Sequence, residues 1–474
     1  MRINKKERII WISIVMGLII IITTHFNIKK IKAKEEDKDS PKEEQKYIQM
    51  FEKVYLIIKR HYIEKKSSKE LITGAINGMI NSLNDPYTLF LVPNAKEELN
   101  IETSGEYGGL GIEVAIRDNK LTVISPIEDT PAERAGIMAG DKIIKVNGKK
   151  LINPKLSEVV KILRGKPGTK VTISVEREGS DKLIDFTITR EIIKIKSVKY
   201  STIGTNMGYI RLVSFRKNAP SEMRKALHYL IDKRKIKGLI FDLRNNPGGL
   251  LNVAISIADM FIKKGLIVYT RPRKDNNNPY LNRDYYAHRY NTICSNIPLI
   301  VLVNHGSASA SEIFSGAIQD DKRGILLGSK TFGKGSVQSV IDLSDGYGLR
   351  YTTAYYYTPS GRMIHHKGIE PDIEVDMPIL NHQDIENIKK IMKDEIIKKW
   401  VKKHKKYNKK MLNDLMNKLN EKGIYLNKLF VIRMLKDELN KLNKKKKIIY
   451  DLDYDIQLKE ALEILKASIN LRNP

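Results

Sequence analysis

The stretch Val301-Leu-Val-Asn-His-Gly-Ser-Ala-Ser-Ala-Ser-Glu312 decides the fold, because it runs from an apolar strand through a series of small residues into a helix. Apolar runs of the same kind recur at Gly208 to Val213, Gly238 to Asp242 and Gly324 to Gly328. Helical patterns between these runs cover Glu222 to Arg234, Ala254 to Phe261 and Ser311 to Gln319. Strands that alternate with helices are typical of an α/β core with a partly parallel sheet, which we place at residues 191–376.

Different patterns flank this core. Residues 102–190 hold short β-rich runs punctuated by Gly and Pro, which predict a small inserted β-rich domain. Residues 47–101 carry apolar residues at helical spacing and predict an N-terminal helical region, and residues 377–474 predict a Lys-rich C-terminal one. We expect the apolar stripe from Ile385 to Trp400 to pack against the core rather than lie on a membrane surface.

The N-terminus combines positive charge with an uncharged apolar run, Ile9 to Ile22. With Thr23 to Phe26 the run reaches about 18 residues, just enough to cross a bilayer. We predict a signal-anchor over residues 1–28, with the N-terminus in the cytoplasm and the rest of this single-pass cell-membrane protein outside it. The alternatives are a cleaved signal, which lacks a small-x-small site here, and a buried helix, which lacks a polar face. A charged linker is predicted over residues 29–46.

Composition and cysteine content argue against nucleic-acid binding and against cysteine-based sites. The net charge of +29 comes mostly from Lys residues spread along all 474 residues. An AT-rich genome produces such a Lys-rich composition without any selection for binding. Because neither a zinc-finger spacing nor a basic recognition helix is present in the sequence, we expect no nucleic-acid partner. The lone Cys294 cannot form an intramolecular disulfide or a cysteine-based metal site, so we expect it to be a buried apolar residue.

The small-residue stretch offers candidates for nucleophilic chemistry. Ser307, Ser309 and Ser311 could each be a nucleophile, or instead cap the helix that follows. A serine hydroxyl needs a base within hydrogen-bond reach. His305 is near in sequence, whereas Lys334 is set among glycines between apolar strands, where burial would lower its pKa and favour the neutral amine. The residues alone leave all three serines and both bases open.

Ordered motifs carry a resemblance to a known family. They are Phe241-Asp-Leu-Arg-Asn-Asn-Pro-Gly-Gly-Leu250, the Ser-Ala-Ser-Ala-Ser-Glu run, Thr331-Phe-Gly-Lys-Gly-Ser-Val-Gln338 and Tyr357-Thr-Pro-Ser-Gly-Arg362, followed by Gly368-Ile-Glu-Pro-Asp372. Together they resemble the carboxyl-terminal processing peptidases, which are Ser/Lys proteases of the tail-specific type. The resemblance extends from about Tyr47 to Asp372 and implies an α/β Ser/Lys protease core.

This resemblance assigns roles to individual residues. Ser309 would be the nucleophile, Lys334 its general base and Gln338 the side chain that orients the lysine. The backbone N–H groups of Gly249 and Ala310 would stabilise the oxyanion. Such chemistry needs neither a metal nor a cofactor. Asp242, Arg244 and Asn245 are expected to brace the turn that holds Gly249.

The domain at residues 102–190 is similar to the PDZ domains of the same family. Its Tyr107-Gly-Gly-Leu-Gly-Ile112 resembles the carboxylate-binding loop, which can hold a peptide's C-terminus while the peptide adds as a strand. The resemblance therefore implies substrate binding by Tyr107, Gly108, Gly109, Leu110, Gly111 and Ile112. Arg164 follows a PDZ helix, where it could meet either the ligand carboxylate or the protease core.

The sequence thus predicts a membrane-anchored serine endopeptidase that captures protein C-termini and cleaves near them. Its partners would be proteins or peptides with free C-termini, the membrane, and a second copy of the chain through the N- and C-terminal helical regions. The rival hypothesis is a catalytically silent PDZ scaffold that binds C-terminal tails without cutting them.

Overall fold

The computed structural model describes residues 40–275, 278–404, 406–442 and 449–472. The chain divides into two compact units, residues 1–85 and 86–474. The predicted signal-anchor at residues 1–28 lies outside the described residues, so it stays a prediction. Within the part that the structure describes, no helix combines the length and hydropathy needed to cross a membrane.

Two helices form the described part of the first unit, α1 (Pro41–His61) and α2 (Ser68–Asn81). Each begins with a capping box, Ser40 with Glu43 and Ser67 with Glu70. The linker predicted over residues 29–46 is therefore wrong from Pro41 onward, because the box and the proline at the first helical turn start the helix there. No residue of α1 is buried, and apolar side chains such as Tyr47, Ile48 and Phe51 are exposed.

The β-rich domain is built on a six-stranded sheet, with its core around Leu121, Ile173 and Val175. One strand before this sheet in the chain, β2 (Glu106–Gly109), pairs with one strand after it, β9 (Glu191–Lys194), as a two-stranded ribbon. The strands and helices of this part are β2 (Glu106–Gly109), β3 (Ile112–Arg117), β4 (Lys120–Pro126), α4 (Pro131–Arg134), β5 (Lys142–Val146), β6 (Lys149–Lys150), α5 (Leu156–Leu163), β7 (Lys170–Glu176), β8 (Ile184–Thr189) and β9 (Glu191–Lys194).

The central sheet of the core has the strand order β10-β11-β12-β15-β16-β19. Adjacent strands run parallel, except that β10 and β11 are antiparallel. Its strands are β10 (Val198–Ile203), β11 (Met207–Leu212), β12 (Gly238–Asp242), β15 (Leu299–Val303), β16 (Ile325–Gly328) and β19 (Ile373–Glu374). Because β12, β15 and β16 run parallel, the loops that leave their carboxyl ends meet at one edge of the sheet. The predicted mixed α/β core is confirmed.

Helices cover both faces of this sheet. On one face, α6 (Ala219–His228), continued by a π-helical turn over Tyr229–Lys233, packs with α7 (Leu251–Ala258) and α8 (Ala310–Asp320) against residues such as Phe241. On the other face, α13 (Ile456–Arg472) packs Leu458 and Leu465 against Ile240 and Leu302. Alternate strand residues thus serve two hydrophobic cores, as expected for a sheet buried on both sides.

An antiparallel sheet stands beside the central one and carries the second half of the site. Its strands are β1 (Leu89–Leu91), β13 (Gly265–Pro272), β14 (Arg283–Ala287), β17 (Ser336–Asp342) and β18 (Gly348–Tyr357). Short 3-10 helices lie at Arg289–Asn291 and Ser344–Gly346. Between β1 and β2, α3 (Pro93–Ser104) leads into the β-rich domain.

The C-terminal region contains α9 (His382–Lys393), α10 (Ile396–Lys403), α11 (Lys409–Glu421) and α12 (Lys428–Leu442) before α13. These four helices enclose an apolar cluster of their own, which includes Ile388, Ile396 and Trp400. The expected packing of the Ile385 to Trp400 stripe against the protease core is therefore wrong. Ile385 and Met392 of the stripe are exposed, the rest packs in this cluster, and it is α13 that packs on the central sheet.

Candidate active site

The three candidate serines lie on the turn between β15 and α8 and at the start of α8, and their environments differ. Ser307 and Ser311 are fully buried, and their hydroxyls donate to the backbone carbonyls of Leu243 at 2.8 Å and Asn246 at 2.9 Å. Ser309 is only half-buried and lines a cleft of the core. The two outer serines are therefore structural, and Ser309 is the serine that faces a ligand-sized space.

Ser309 is held in an unusual backbone conformation, with φ 56° and ψ −114°. A non-glycine residue at positive φ is strained, and such strain persists where the surroundings over-determine it. Its backbone N–H donates to the Glu312 carboxylate at 2.8 Å, and the preceding Ala308 N–H donates to the Asn246 carbonyl at 3.0 Å. The turn thereby presents the Ser309 side chain at the N-terminus of α8.

The two candidate bases are placed differently. Lys334 is half-buried and lines the same cleft as Ser309. Its Nζ lies 3.5 Å from Gln338 Oε1, which is long for a hydrogen bond, and 4.6 Å from the centre of the Tyr87 ring. His305 is exposed, packs beside Phe332 and does not line the cleft.

Tyr87 is a site residue that the sequence did not indicate. Its backbone carbonyl accepts from Gln338 Nε2 at 3.4 Å and from Arg350 Nε at 3.2 Å, while its ring lies against Lys334 Nζ. The only available signal was an aromatic residue just after the Asp85-Pro86 turn. Because its partners are about 250 positions further along the chain, local pattern could not find them.

Backbone donors for an oxyanion lie close to Ser309. Gly248 and Gly249 have positive φ values of 100° and 145° and line the cleft together with Ala310. A Cβ on Gly249 would stand 2.4 Å from the Phe215 carbonyl oxygen, so only glycine fits. Among the hydrogen bonds of the described residues, neither the Gly249 nor the Ala310 N–H donates to a protein acceptor. Both are therefore available to a bound oxygen.

Gly248 is a second residue that sequence reasoning left without a role. A Cβ placed there would lie 2.7 Å from the Ala308 carbonyl oxygen, 2.8 Å from Ser309 Cβ and 2.9 Å from the Ala310 nitrogen. Its carbonyl accepts from the Phe215 N–H at 2.8 Å. The glycine turn and the serine turn are thus in direct contact.

The cleft around these groups has a cavity volume of about 230 Å³. Its walls are mostly apolar and come from α3, α7, α8 and β17: Leu99, Leu250, Leu251, Ile313, Val337 and Val340. Glu102, Thr103 and Arg350 add polar groups to the lining. This is a space suited to an extended peptide with apolar side chains.

Of the three residues predicted to brace the glycine turn, Asp242 and Arg244 belong to a buried ionic network, whereas Asn245 is exposed and bonds with the Asn304 side chain. The Arg244 guanidinium bonds both Asp242 and Asp455, at 2.8 and 2.7 Å, and the Tyr209 hydroxyl donates to Asp242 at 2.7 Å. Burial alone would raise the pKa of Asp242, but the positive charge of Arg244 holds it below its ordinary value. Arg244 immediately precedes the turn, so this network fixes where the turn begins.

A second cleft, of about 160 Å³, lies in the β-rich domain. Of the predicted ligand residues, Tyr107, Leu110, Gly111 and Ile112 line it. Val114, Leu156, Val160, Leu163 and Arg164 complete the lining. The Arg164 guanidinium lies over the Tyr107 ring at 4.9 Å from its centre.

Gly108 and Gly109 do not line this groove. They belong to β2 and pair with Ile192 and Glu191 of β9, and the Gly108 carbonyl also accepts from the Gly165 N–H at 3.0 Å. Their close packing explains the glycines, since a Cβ on Gly108 would lie 2.1 Å from the Gly165 oxygen. These two residues therefore lie in the β2–β9 pairing, and the role predicted for them in peptide binding stays a prediction.

Comparison with known proteins adds family evidence to this geometry. Residues 206–375 match the model of peptidase family S41, residues 108–188 match the PDZ domain, and residues 16–94 match the activating protease CtpB N-terminal domain. The chain is 43% identical over 337 residues to a carboxy-terminal-processing protease of Bartonella bacilliformis, covering 70% of this chain and 76% of that one.

The chain is also similar to a second curated relative and to a solved structure. A probable CtpA-like serine protease of Staphylococcus aureus (strain MRSA252) is 38% identical over 369 residues, covering 78% of this chain and 73% of its own. Among solved structures, a photosystem II D1 C-terminal processing protease is 32% identical, covers 69% of this chain and 92% of its own, and has a TM-score of 0.40.

The matches and the site together define a serine-type peptidase with a PDZ domain. More particularly, the chain belongs to the carboxy-terminal-processing proteases of peptidase family S41. A PDZ domain implies binding of peptide C-termini.

Proposed function

We propose that this peptidase is a membrane-anchored endopeptidase that cleaves near captured protein C-termini with Ser309 as nucleophile and Lys334 as general base. The observation that carries the proposal is that both residues line one cleft together with Gly249, Ala310 and Gln338, whereas His305 does not. The hydroxyls of the competing serines are bonded to backbone carbonyls.

Bond making and breaking then follow from these positions. Neutral Lys334 Nζ takes the Ser309 hydroxyl proton as Oγ attacks the peptide carbonyl carbon. The oxyanion accepts hydrogen bonds from the Gly249 and Ala310 N–H groups. Collapse breaks the C–N bond, and the Lys334 ammonium group returns its proton to the leaving amine. Water repeats the sequence on the acyl-enzyme and regenerates the Ser309 hydroxyl.

Gln338 and Tyr87 support the lysine. The Gln338 side chain lies between Lys334 Nζ and the Tyr87 carbonyl, which limits the directions its amide can take. The aromatic face of Tyr87 favours the ammonium form that exists after proton transfer. Both contacts therefore assist the step in which Lys334 carries the proton.

The PDZ groove is proposed to deliver the substrate. Its apolar walls, from β3 and α5, suit a C-terminal side chain without charge, and the bound peptide would add as a strand beside Ile112. Release of the scissile segment to the protease cleft then places it against the apolar residues around Ser309.

Anchoring and location are proposed on the sequence pattern alone. The uncharged run from Ile9 to Ile22 behind a basic N-terminus supports a single-pass anchor in the cell membrane, with the catalytic domain outside the cytoplasm. The exposed apolar face of α1, which includes Tyr47, Ile48 and Phe51, supports self-association through the helical regions.

The test uses the full chain in detergent and a peptide with an apolar, free C-terminus, with products identified by mass spectrometry. We expect cleavage by the wild type and by His305→Ala, and loss of about a thousandfold or more in kcat for Ser309→Ala and Lys334→Ala, all variants remaining folded. Retained cleavage by Lys334→Ala with loss in His305→Ala would overturn the assignment in favour of a Ser/His hydrolase. Tight peptide binding without any cleavage would favour the silent scaffold.

A further inference from the structure

Glu312 has an environment that an ordinary helix-capping glutamate lacks. It occupies the third position of α8, from which a capping-box glutamate reaches back to the N-cap N–H. Most such residues are solvent-exposed, but the Glu312 side chain is fully buried. A buried carboxylate is stable only when its oxygens are hydrogen-bonded.

The Glu312 carboxylate accepts hydrogen bonds from two separate segments. Oε2 accepts from the backbone N–H groups of Ser309 and Lys334, each at 2.8 Å. Oε1 accepts from the Gly333 N–H and the Thr331 hydroxyl, each at 2.6 Å. Ser309 lies on the turn after β15, whereas the other donors lie on the loop between β16 and β17. A single side chain therefore joins the backbone of the nucleophile to the backbone of the base.

The direction of the Thr331 bond can be assigned. Thr331 Oγ1 accepts from the Ile369 N–H at 2.7 Å, so its own hydrogen is free to point at Glu312. The carboxylate then faces donors only, which is the arrangement that an ionised carboxylate satisfies and an amide cannot. Burial raises the pKa of Glu312, and the hydrogen bonds oppose this rise.

Lys334 is held on its other side as well. The hydroxyl of the buried Tyr356 donates to the Lys334 carbonyl, so both backbone polar groups of this residue have partners. The backbone of Lys334 is thus fixed at both ends, and from this position its side chain reaches Gln338 and Tyr87. The strained φ of Ser309 is over-determined by the same carboxylate.

We propose that Glu312 is a positioning residue, whose carboxylate sets the separation of Ser309 and Lys334 by holding the backbones of both. The inference rests on the proposed function of that pair. It predicts a defect in the chemical step, since a misplacement of about 1 Å between reacting groups can lower the rate about a hundredfold.

The test compares Glu312→Gln with Glu222→Gln in the full chain. Glu222 on α6 is a matched control, because its carboxylate also accepts backbone N–H groups, from Ser197 at 2.9 Å and Val198 at 3.0 Å, away from the cleft. We expect Glu312→Gln to lower kcat about a hundredfold with little change in KM, and Glu222→Gln to leave both near the wild type.

Hydrogen exchange supplies a readout that does not depend on activity. In Glu312→Gln we expect faster amide exchange confined to peptides covering residues 304–312 and 331–336, because the Ser309, Gly333 and Lys334 N–H groups lose their acceptor. Exchange accelerated throughout the core instead would show a merely structural role and overturn the proposal. So would an unchanged kcat in a folded Glu312→Gln protein.

Thr331 provides a second pair of variants in case Glu312→Gln does not fold. Thr331→Ser keeps the hydroxyl and should match the wild type, whereas Thr331→Val removes one of the four donors and should lower kcat about tenfold. Equal kcat in the two variants would contradict the proposal. If the wild type cleaves nothing, the proposed function fails, but the local exchange response of Glu312→Gln still decides whether the carboxylate joins the two segments.

Discussion

Ser309 stands at φ 56° and ψ −114°, a backbone region in which a residue with a Cβ is strained by about 1–3 kcal/mol. This conformation presents the hydroxyl at the start of α8, beside the Ala310 N–H, which donates to no protein acceptor among the hydrogen bonds of the described residues and can serve an oxyanion. The neighbouring Gly248 makes this conformation possible, since it packs directly on the Ser309 Cβ.

Gly248→Ala should therefore abolish activity. The new methyl would lie 2.7–2.9 Å from the Ala308 oxygen, Ser309 Cβ and the Ala310 nitrogen, so the serine turn must shift. Gly265→Ala is a matched control with a similar φ of 114° and nothing within 4 Å of the added Cβ. In urea unfolding, both variants should be destabilised by about 1–3 kcal/mol. In peptide cleavage, only Gly248→Ala should lose kcat. Equal kcat in the two variants would contradict this account.

Sequence reasoning stopped short of a single nucleophile for a physical reason. Ser307, Ser309 and Ser311 have the same chemistry and the same small neighbours, so only their partners distinguish them. Those partners are the carbonyls of Leu243 and Asn246, more than 60 positions earlier in the chain. Burial of two hydroxyls by long-range packing is invisible in a local pattern, and the family resemblance had to supply the choice.

At the scale of elements, the strands were the most predictable features. The predicted runs at Gly208 to Val213, Gly238 to Asp242 and Gly324 to Gly328 coincide within one residue with β11, β12 and β16, because short runs rich in apolar residues are typical of buried strands. The start of α1 was missed because Ser40-Pro41 stands in a charged stretch that hides its capping box. The contact of α13 with the central sheet depends on residues more than 200 positions apart.

The N-terminus of α13 is joined to the glycine turn by an ionic contact. Asp455 accepts both Arg244 Nη groups at 2.7 Å and also caps α13 by accepting the Leu458 N–H at 2.9 Å. Asp455→Asn should destabilise the fold by about 3 kcal/mol, because it removes one of the two carboxylates that pair with the buried Arg244 guanidinium and puts a neutral amide in its place. It should also lower kcat, since Arg244 leads directly into the Gly249 turn.

Asp453→Asn is the control for this prediction. Asp453 is half-exposed and pairs with Lys436 away from Arg244, so its loss should change stability by no more than about 1 kcal/mol. Urea unfolding and peptide cleavage measure both effects. If Asp455→Asn unfolds at the same urea concentration as the wild type and keeps its kcat, α13 has no role in holding the turn.

At the scale of the whole molecule, two clefts have different chemistry. The protease cleft contains the reacting groups, while the PDZ groove contains a Gly-containing loop between apolar walls and no nucleophile among its lining residues. A C-terminal carboxylate can be held in such a loop by successive backbone N–H groups. If the groove delivers substrate, changes there should alter KM far more than the chemical step.

Val160 and Ile162 of α5 allow this separation to be measured. Val160 lines the groove, whereas Ile162 is exposed and does not line it. For a peptide with a free apolar C-terminus, Val160→Gln should raise KM about tenfold at constant kcat, because a buried side-chain contact worth about 1–2 kcal/mol is lost. Ile162→Gln should leave both parameters unchanged.

Amidation of the peptide should raise KM for the wild type in the same way, since it removes the charge that the loop binds. A fall in kcat with KM unchanged for Val160→Gln would mean instead that the occupied groove acts on the Ser309 cleft, so that the PDZ domain controls the chemistry rather than the supply of substrate.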